Sequence, residues 1–176
     1  MDVESKRREV VVSKEEIERR VAELGAQITR EYEGKNLLVV SLMKGSFIFA
    51  ADLVRKIDLP VRIEFMTTSS YGHGEQSTGK LKIVHDLSVD CSEFDVLIVD
   101  DITDTAITMS EVVRILGERN PKSIKACVLL DKPSRRKVDY TADYIGFEIP
   151  DKFIVGYGLN YGDYYRNIDH VFAFVD

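Results

Sequence analysis

The chain of 176 residues is 44% hydrophobic and 31% charged, and its 24 Lys plus Arg against 30 Asp plus Glu leave a net charge of −6. That length and balance fit one soluble globular domain across residues 1–176, with a core of its own. They argue against a whole-surface nucleic-acid binder, so no nucleic-acid partner is expected, while leaving room for a local basic pocket that takes an anionic metabolite.

In chain order, "MDVESKRREVVV" is polar and then briefly apolar, too short for the apolar core of a secretory signal. "SKEEIERRVAELGAQITREYEG" predicts a helix. Ser13 and Glu16 have capping-box spacing, Ile17, Val21, Leu24 and Ile28 form one apolar stripe, and Gly34 suits a C-terminal stop. "NLLVVSL" reads as a buried strand, "MKGS" as a turn, and "SFIFAADLVRKI" as a helix ended before Pro60. "VRIEFMTTSS" is the next strand, and "YGHGEQSTGK" after it, rich in glycine, reads as a mobile loop. "KLKIVHDL" and "DVLIVD" predict strands, "ITMSEVVRILGER" a helix stopped by "NP", and "SIKACVLLDK" another strand. The tail adds short strands near "YIGFEI", "FIVGYGL" and "HVFAFV". No stretch approaches the ~18 apolar residues of a membrane span, so no membrane is expected. Cys91 and Cys127 form no CxxC, and His73, His85 and His170 are scattered. Neither a zinc site nor a redox pair is indicated, and lone thiols suit the reducing cytoplasm.

Apolar strands alternating with helices predict an α/β fold, a mainly parallel twisted sheet flanked by helices on both faces. Such sheets bind ligands beyond the C-terminal strand ends. Three polar clusters fall there: "MKGS", "DDITDTAIT" and "DKPSRR". In the second, Asp100 and Asp101 can accept hydrogen bonds from a vicinal diol or hold Mg²⁺. The backbone that follows enters a helix and offers N–H groups to a phosphate. Thr105 and Thr108 add hydroxyls. Asp104 would be repelled by that phosphate and is better used for proton transfer. "KRR" and "SRRK" are short and read as solvated charge. A loop that wraps phosphate closely usually contains glycine, yet this one has Ala106.

"VLIVDDITDTAITM" resembles the phosphoribosyl pyrophosphate (PRPP) motif of the type I phosphoribosyltransferases. "SLMKGSFIFAADL", "TSSYG", "LLDKPSRR" and "IGFEIPDKFIVGYGLNY", with "YRN" after it, resemble the hypoxanthine-guanine phosphoribosyltransferases in order and spacing, from about residue 10 to the C-terminus. The resemblance implies the type I fold with a small hood formed from terminal segments, Mg²⁺ as cofactor, and a homodimer or homotetramer. It implies a salvage reaction: a 6-oxopurine base, hypoxanthine or guanine with xanthine also open, plus PRPP gives the nucleotide, IMP or GMP, plus pyrophosphate. Asp100 and Asp101 would then hold the ribose hydroxyls. Asp104, Thr105, Ala106, Ile107 and Thr108 would cradle the 5′-phosphate, with Asp104 as general acid/base. Met43, Lys44 and Gly45 would form the pyrophosphate loop, often with a cis peptide before the second residue, and Arg166 would reach the pyrophosphate. Lys132 would donate to the 6-oxo group, Phe153 would stack on the base, and the backbone at Lys152 and Ile154 would read its edge. Ser70 and Tyr71 would sit on a closing loop.

Two residues depart from the family pattern. Ala106 stands where glycine is usual. Asn160 stands where a Mg²⁺-linked aspartate is usual, keeping an oxygen for the metal but losing the charge. A left-handed backbone at residue 106 would cost roughly 1–2 kcal/mol with alanine there. These departures keep one alternative in view, a PRPP-sensing regulatory protein of the same fold with weak or no catalysis.

Overall fold

The computed structural model describes residues 6–70 and 80–175. Its elements in chain order are β1 (Arg7–Val12), α1 (Lys14–Glu31), β2 (Leu37–Met43), α2 (Phe47–Val54), β3 (Val61–Ser70), β4 (Leu81–His85), β5 (Asp95–Thr103), α3 (Ile107–Gly117), β6 (Ser123–Asp131), β7 (Tyr144–Glu148), β8 (Ile154–Val155) and β9 (Val171–Val175).

The capping box forms as its spacing predicts. The Ser13 hydroxyl accepts the Glu16 N–H at 3.1 Å, and the Glu16 carboxylate accepts the Ser13 N–H at 3.3 Å. Two orphan donors of the first turn are thereby satisfied. Ile17, Val21, Leu24 and Ile28 are all buried, the outcome the apolar stripe predicts. The helix ends earlier than the expected stop. Tyr32 closes it, and Gly34 takes φ +76 in the turn that follows. α2 is also shorter than its apolar run, ending at Val54, with the remainder forming turns before Pro60.

Six strands form the main sheet in the order β4-β3-β2-β5-β6-β7, all parallel except the edge strand β4. Side-chain alternation distributes each central strand between two cores. Leu37, Val39, Leu97, Val99, Cys127 and Leu129 face the side covered by α1 and α2. Leu38, Val40, Val96, Ile98, Ala126 and Val128 face the side covered by α3. Both faces are dry, which is why these strands read as continuous apolar runs.

The chain leaves β2 through α2 toward β3, and leaves β5 through α3 toward β6, in opposite directions across the sheet. The switch point therefore lies between β2 and β5. A crevice opens at their C-terminal ends, because the β2–β5 pairing stops at Ser41↔Val99 while β5 continues to Thr103.

A second sheet, β1-β9-β8, joins the two ends of the chain, with β1 antiparallel to β9 from Arg7↔Val175 onward. This is the hood. β1, polar and then briefly apolar in sequence, was not expected as a strand, and the strand it pairs with, β9, lies at the far terminus. "FIVGYGL" contributes only two strand residues, Ile154 and Val155. Gly156, Tyr157 and Gly158 all take positive φ and turn the chain out of the sheet. The expected loop 71–80 lies outside the described residues except for Lys80.

Candidate active site

Asp100 and Asp101 lie near the end of β5, as expected, with Asp100 beside Val128 of β6 and the strand running on to Thr103. The strand places them at the switch-point crevice. The Asp100 Oδ1 accepts the Asp101 N–H at 2.9 Å, and the Asp101 Oδ1 accepts the Ile102 N–H at 2.8 Å. Burial, and then the neighbouring Asp101 charge, raise the Asp100 carboxyl well above its ordinary range. Burial also raises Asp101, against the pull of its hydrogen bonds and of the Arg166 charge. Two desolvated acids side by side form a site that gains from a cation or from hydroxyl donors.

The "MKGS" turn closes over this pair. The Met43–Lys44 peptide is cis. A Cβ placed on Gly45 would meet the Asp101 Oδ2 at 2.1 Å, so glycine here is a matter of space. On its other side the Gly45 carbonyl lies against Gly158, where a Cβ would approach it to 2.3 Å. Gly158 is tied in turn to Arg166: its N–H donates to the Arg166 carbonyl at 2.9 Å, and its carbonyl accepts from the Arg166 guanidinium at 2.8 Å. Met43, Lys44, Gly45, Asp101 and Arg166, separated by more than a hundred residues of sequence, thus share one wall.

Ala106 adopts φ +68, ψ +5, the left-handed region, at the start of α3. The turn it makes frees the helix N-terminus. Among the described residues, the N–H groups of Thr105, Ala106 and Thr108 donate to no protein acceptor. The Ile107 N–H meets the Thr105 hydroxyl at 3.3 Å. Free amides at a helix start are an anion site.

The loop is held from behind by a residue that the sequence reading assigned to solvated charge. Arg136 is largely buried. It donates to the Asp104 carbonyl at 2.9 Å and to the buried Asp131 carboxylate at 2.6 Å. Its neighbour Arg135 stays half exposed, with its Nε 2.9 Å from the Asp104 Oδ1 and a nitrogen 3.3 Å from Asp151. The Asp104 contact is a charge pairing without hydrogen-bond alignment, since that buried oxygen receives no hydrogen bond. Asp104, expected to stand apart from a bound phosphate, has a cation beside it. The sequence signal for these arginines was their place three and four residues after a strand-end lysine.

Lys132 is buried, 5% exposed, with its N–H on the Thr103 carbonyl at 2.9 Å. Among the described residues no carboxylate lies within 4.0 Å of its ammonium, so its charge is available to a ligand. The chain returns beside it, since the Ile149 N–H donates to the Asp131 carbonyl at 2.9 Å. Four residues on, Phe153 is 63% exposed, its ring edge-to-face with Tyr161 at 5.8 Å. Lys152 is exposed, 3.4 Å from Glu9, and Ile154 opens β8. Asn160 is exposed and donates its amide to the Gly162 carbonyl at 2.6 Å. Ser70 ends β3, and Tyr71 lies outside the described residues. Among the described residues, no three His, Cys, Asp or Glu side chains group as metal ligands. The acidic pair fits Mg²⁺ as a charge partner only if a polyanionic ligand completes the coordination.

These features define a class before they define a chemistry: an open α/β sheet with an acidic pair and a helix start with free amides at its switch point. A profile of the phosphoribosyl transferase domain matches residues 9–162. The hypoxanthine-guanine phosphoribosyltransferase of Aquifex aeolicus is 49% identical over 99% of both chains. The hypoxanthine phosphoribosyltransferase of Haemophilus influenzae is 51% identical over 93% of both. The crystal structure of a Staphylococcus aureus hypoxanthine phosphoribosyltransferase superposes with a TM-score of 0.92 at 43% identity, covering 95% of this chain and 91% of that one. This chain belongs to the phosphoribosyltransferase family, among the hypoxanthine and hypoxanthine-guanine enzymes.

Proposed function

We propose that the chain is a purine salvage enzyme that transfers the phosphoribosyl group of PRPP to hypoxanthine or guanine, releasing pyrophosphate and leaving IMP or GMP. One observation carries the reading: the desolvated Asp100–Asp101 pair lies under the Gly45 loop at the sheet's switch point. The alternative of a PRPP sensor without catalysis has no observation in its favour.

Asp100 and Asp101 accept the ribose 2′- and 3′-hydroxyls. The free amides of Thr105, Ala106 and Thr108, with Ile107 between them and the threonine hydroxyls, hold the 5′-phosphate. Lys44, Gly45 and Arg166 receive the pyrophosphate, whose leaving charge needs fixed cations and donors. Lys132 donates to the purine 6-oxo group. Adenine is rejected because its amino group would face another donor. Phe153 stacks on the base, and the backbone of Lys152 and Ile154 reads its far edge. As N9 bonds to C1′ and the bond from C1′ to pyrophosphate breaks, the base loses a proton, and Asp104 takes it at N7. The Arg135 contact must then yield to the base. Water must be kept from the ribosyl cation, and Ser70, at the end of β3, stands where the expected closing loop begins. Asp100 and Asp101 would offset the charge of Mg²⁺ arriving with PRPP, which would supply charge neutralisation at the pyrophosphate. Asn160 contributes a neutral oxygen at most.

The reaction belongs in the cytoplasm. Two free, buried thiols support that setting. Self-association as a dimer or tetramer is supported by the partly exposed Phe47, Ile63 and Phe65 on α2 and β3, next to the Met43 loop. Sedimentation of the purified protein tests it, and a monomer at micromolar concentration refutes it.

Incubation with PRPP, Mg²⁺ and each base, followed by separation of nucleotides, tests the activity. Formation of IMP and GMP is expected. Measurable PRPP binding with no product from any base would make the protein a sensor.

A further inference from the structure

Phe153 is a large aromatic side chain left 63% exposed. An exposed ring on an irregular segment has freedom to rotate, and a stacking platform needs the opposite. Among the described residues, one aromatic ring packs against it. Tyr161 meets Phe153 edge-to-face, with centroids 5.8 Å apart and planes at 75°.

Tyr161 is itself fixed. Its N–H donates to the Tyr164 carbonyl at 3.1 Å, and the Tyr164 N–H returns to the Tyr161 carbonyl at 3.2 Å. Behind it stands Phe174 of β9, with centroids 5.2 Å apart, and Phe174 leans on the buried Phe172 at 5.3 Å. Arg8 of β1 lies over both Tyr165 and Phe172, at 5.3 and 5.0 Å from the ring centroids. A row of edge-to-face rings therefore runs from the buried Phe172 of β9 to the exposed Phe153.

We propose that Tyr161 is a positioning residue for purine recognition, which transmits the rigidity of the β1–β9 hood to Phe153 and so sets the affinity for the base. The proposal rests on the reading of Phe153 as the stacking residue. An edge-on contact suits the task, because it holds the Phe153 ring in plane while leaving a ring face open for a purine. The contact with Phe153 is made by the Tyr161 ring.

Steady-state kinetics with hypoxanthine and with PRPP as the varied substrate test this. Tyr161→Leu should raise the hypoxanthine KM about three- to tenfold, the scale of one edge-to-face aromatic pair. The PRPP KM and kcat should move less than twofold. Tyr161→Phe should restore the purine KM to within twofold of the parent. Phe153→Leu should raise the purine KM, and the double variant should be sub-additive, since either change removes the same held platform. An unchanged purine KM in Tyr161→Leu beside a raised one in Phe153→Leu would overturn the proposal and leave the stacking reading standing. So would additive effects, or a loss in Tyr161→Phe equal to that in Tyr161→Leu. An unchanged purine KM in Phe153→Leu would overturn the stacking reading, and the proposal with it.

Discussion

Gly45→Ala isolates the closest approach in the proposed site. The new Cβ would stand 2.1 Å from the Asp101 Oδ2 and 2.8 Å from its Cγ. An ordinary contact needs ~3.4 Å, so the carboxylate or the loop must move by about 1.3 Å. The carboxylate has little freedom, because its other oxygen holds the Ile102 N–H at 2.8 Å. The loop has little freedom either, since the Gly45 carbonyl lies against Gly158. Displacement on the order of 1 Å in a reacting constellation costs about 100-fold in rate. We therefore expect kcat/KM for PRPP to fall about 100-fold, or ~2.7 kcal/mol at ~1.36 kcal/mol per decade. Overpacking should cost about 1–3 kcal/mol of stability as well. Gly34→Ala is the control, because Gly34 has φ +76 but no atom within 4 Å of its added Cβ. It should lower Tm through backbone strain and leave PRPP kinetics intact. Initial rates against PRPP, with thermal unfolding alongside, decide the matter. PRPP parameters for Gly45→Ala within twofold of the parent would refute the claim that this gap sizes the site.

Ala106→Gly relieves a left-handed alanine at φ +68, and after the glycine's own cost in the unfolded chain the gain should be about 0.5–1 kcal/mol. Tm should rise by roughly 1–4 °C and the PRPP KM should fall, whereas a lower Tm would contradict the strain. Asp100→Asn should stabilise the ligand-free protein. A carboxyl raised by folding adds stability below its unfolded value and loses it as pH climbs through the folded one, so the gain should be on the order of 2–4 °C at pH 8 and vanish near pH 4. An equal gain at both pH values would refute the sign. Asp104→Asn should lower kcat about 100- to 10,000-fold with PRPP affinity by calorimetry nearly unchanged, and a parallel loss of PRPP binding would remove its proton-transfer role. Asn160→Asp should lower the Mg²⁺ concentration that half-saturates PRPP binding several-fold, since a carboxylate replaces a neutral oxygen. An unchanged Mg²⁺ titration would place residue 160 outside the metal's reach.

Local pattern in the chain was enough for the strands β2, β3, β5 and β6, the capped start of α1, and the three strand-end clusters. Burial on both faces writes itself as continuous apolar runs, and capping chemistry is complete within four residues. The acidic pair and the lysine after β6 were legible for the same reason: polar residues at the end of an apolar run carry their own signal. What stayed hidden needed partners from afar. β1 is a strand because β9 lies beside it. Arg136 looks like solvated charge until Asp131 and the Asp104 carbonyl close around it. The left-handed turn at Ala106 breaks the local preference of alanine, and only the surrounding structure over-determines it. The reason Gly45 must be glycine lies 56 residues away in Asp101. A sequence records the preferences of each residue for its neighbours, and those decided the elements. Which side chains share a volume is decided by strand order and register, and that is where the tertiary structure made the site.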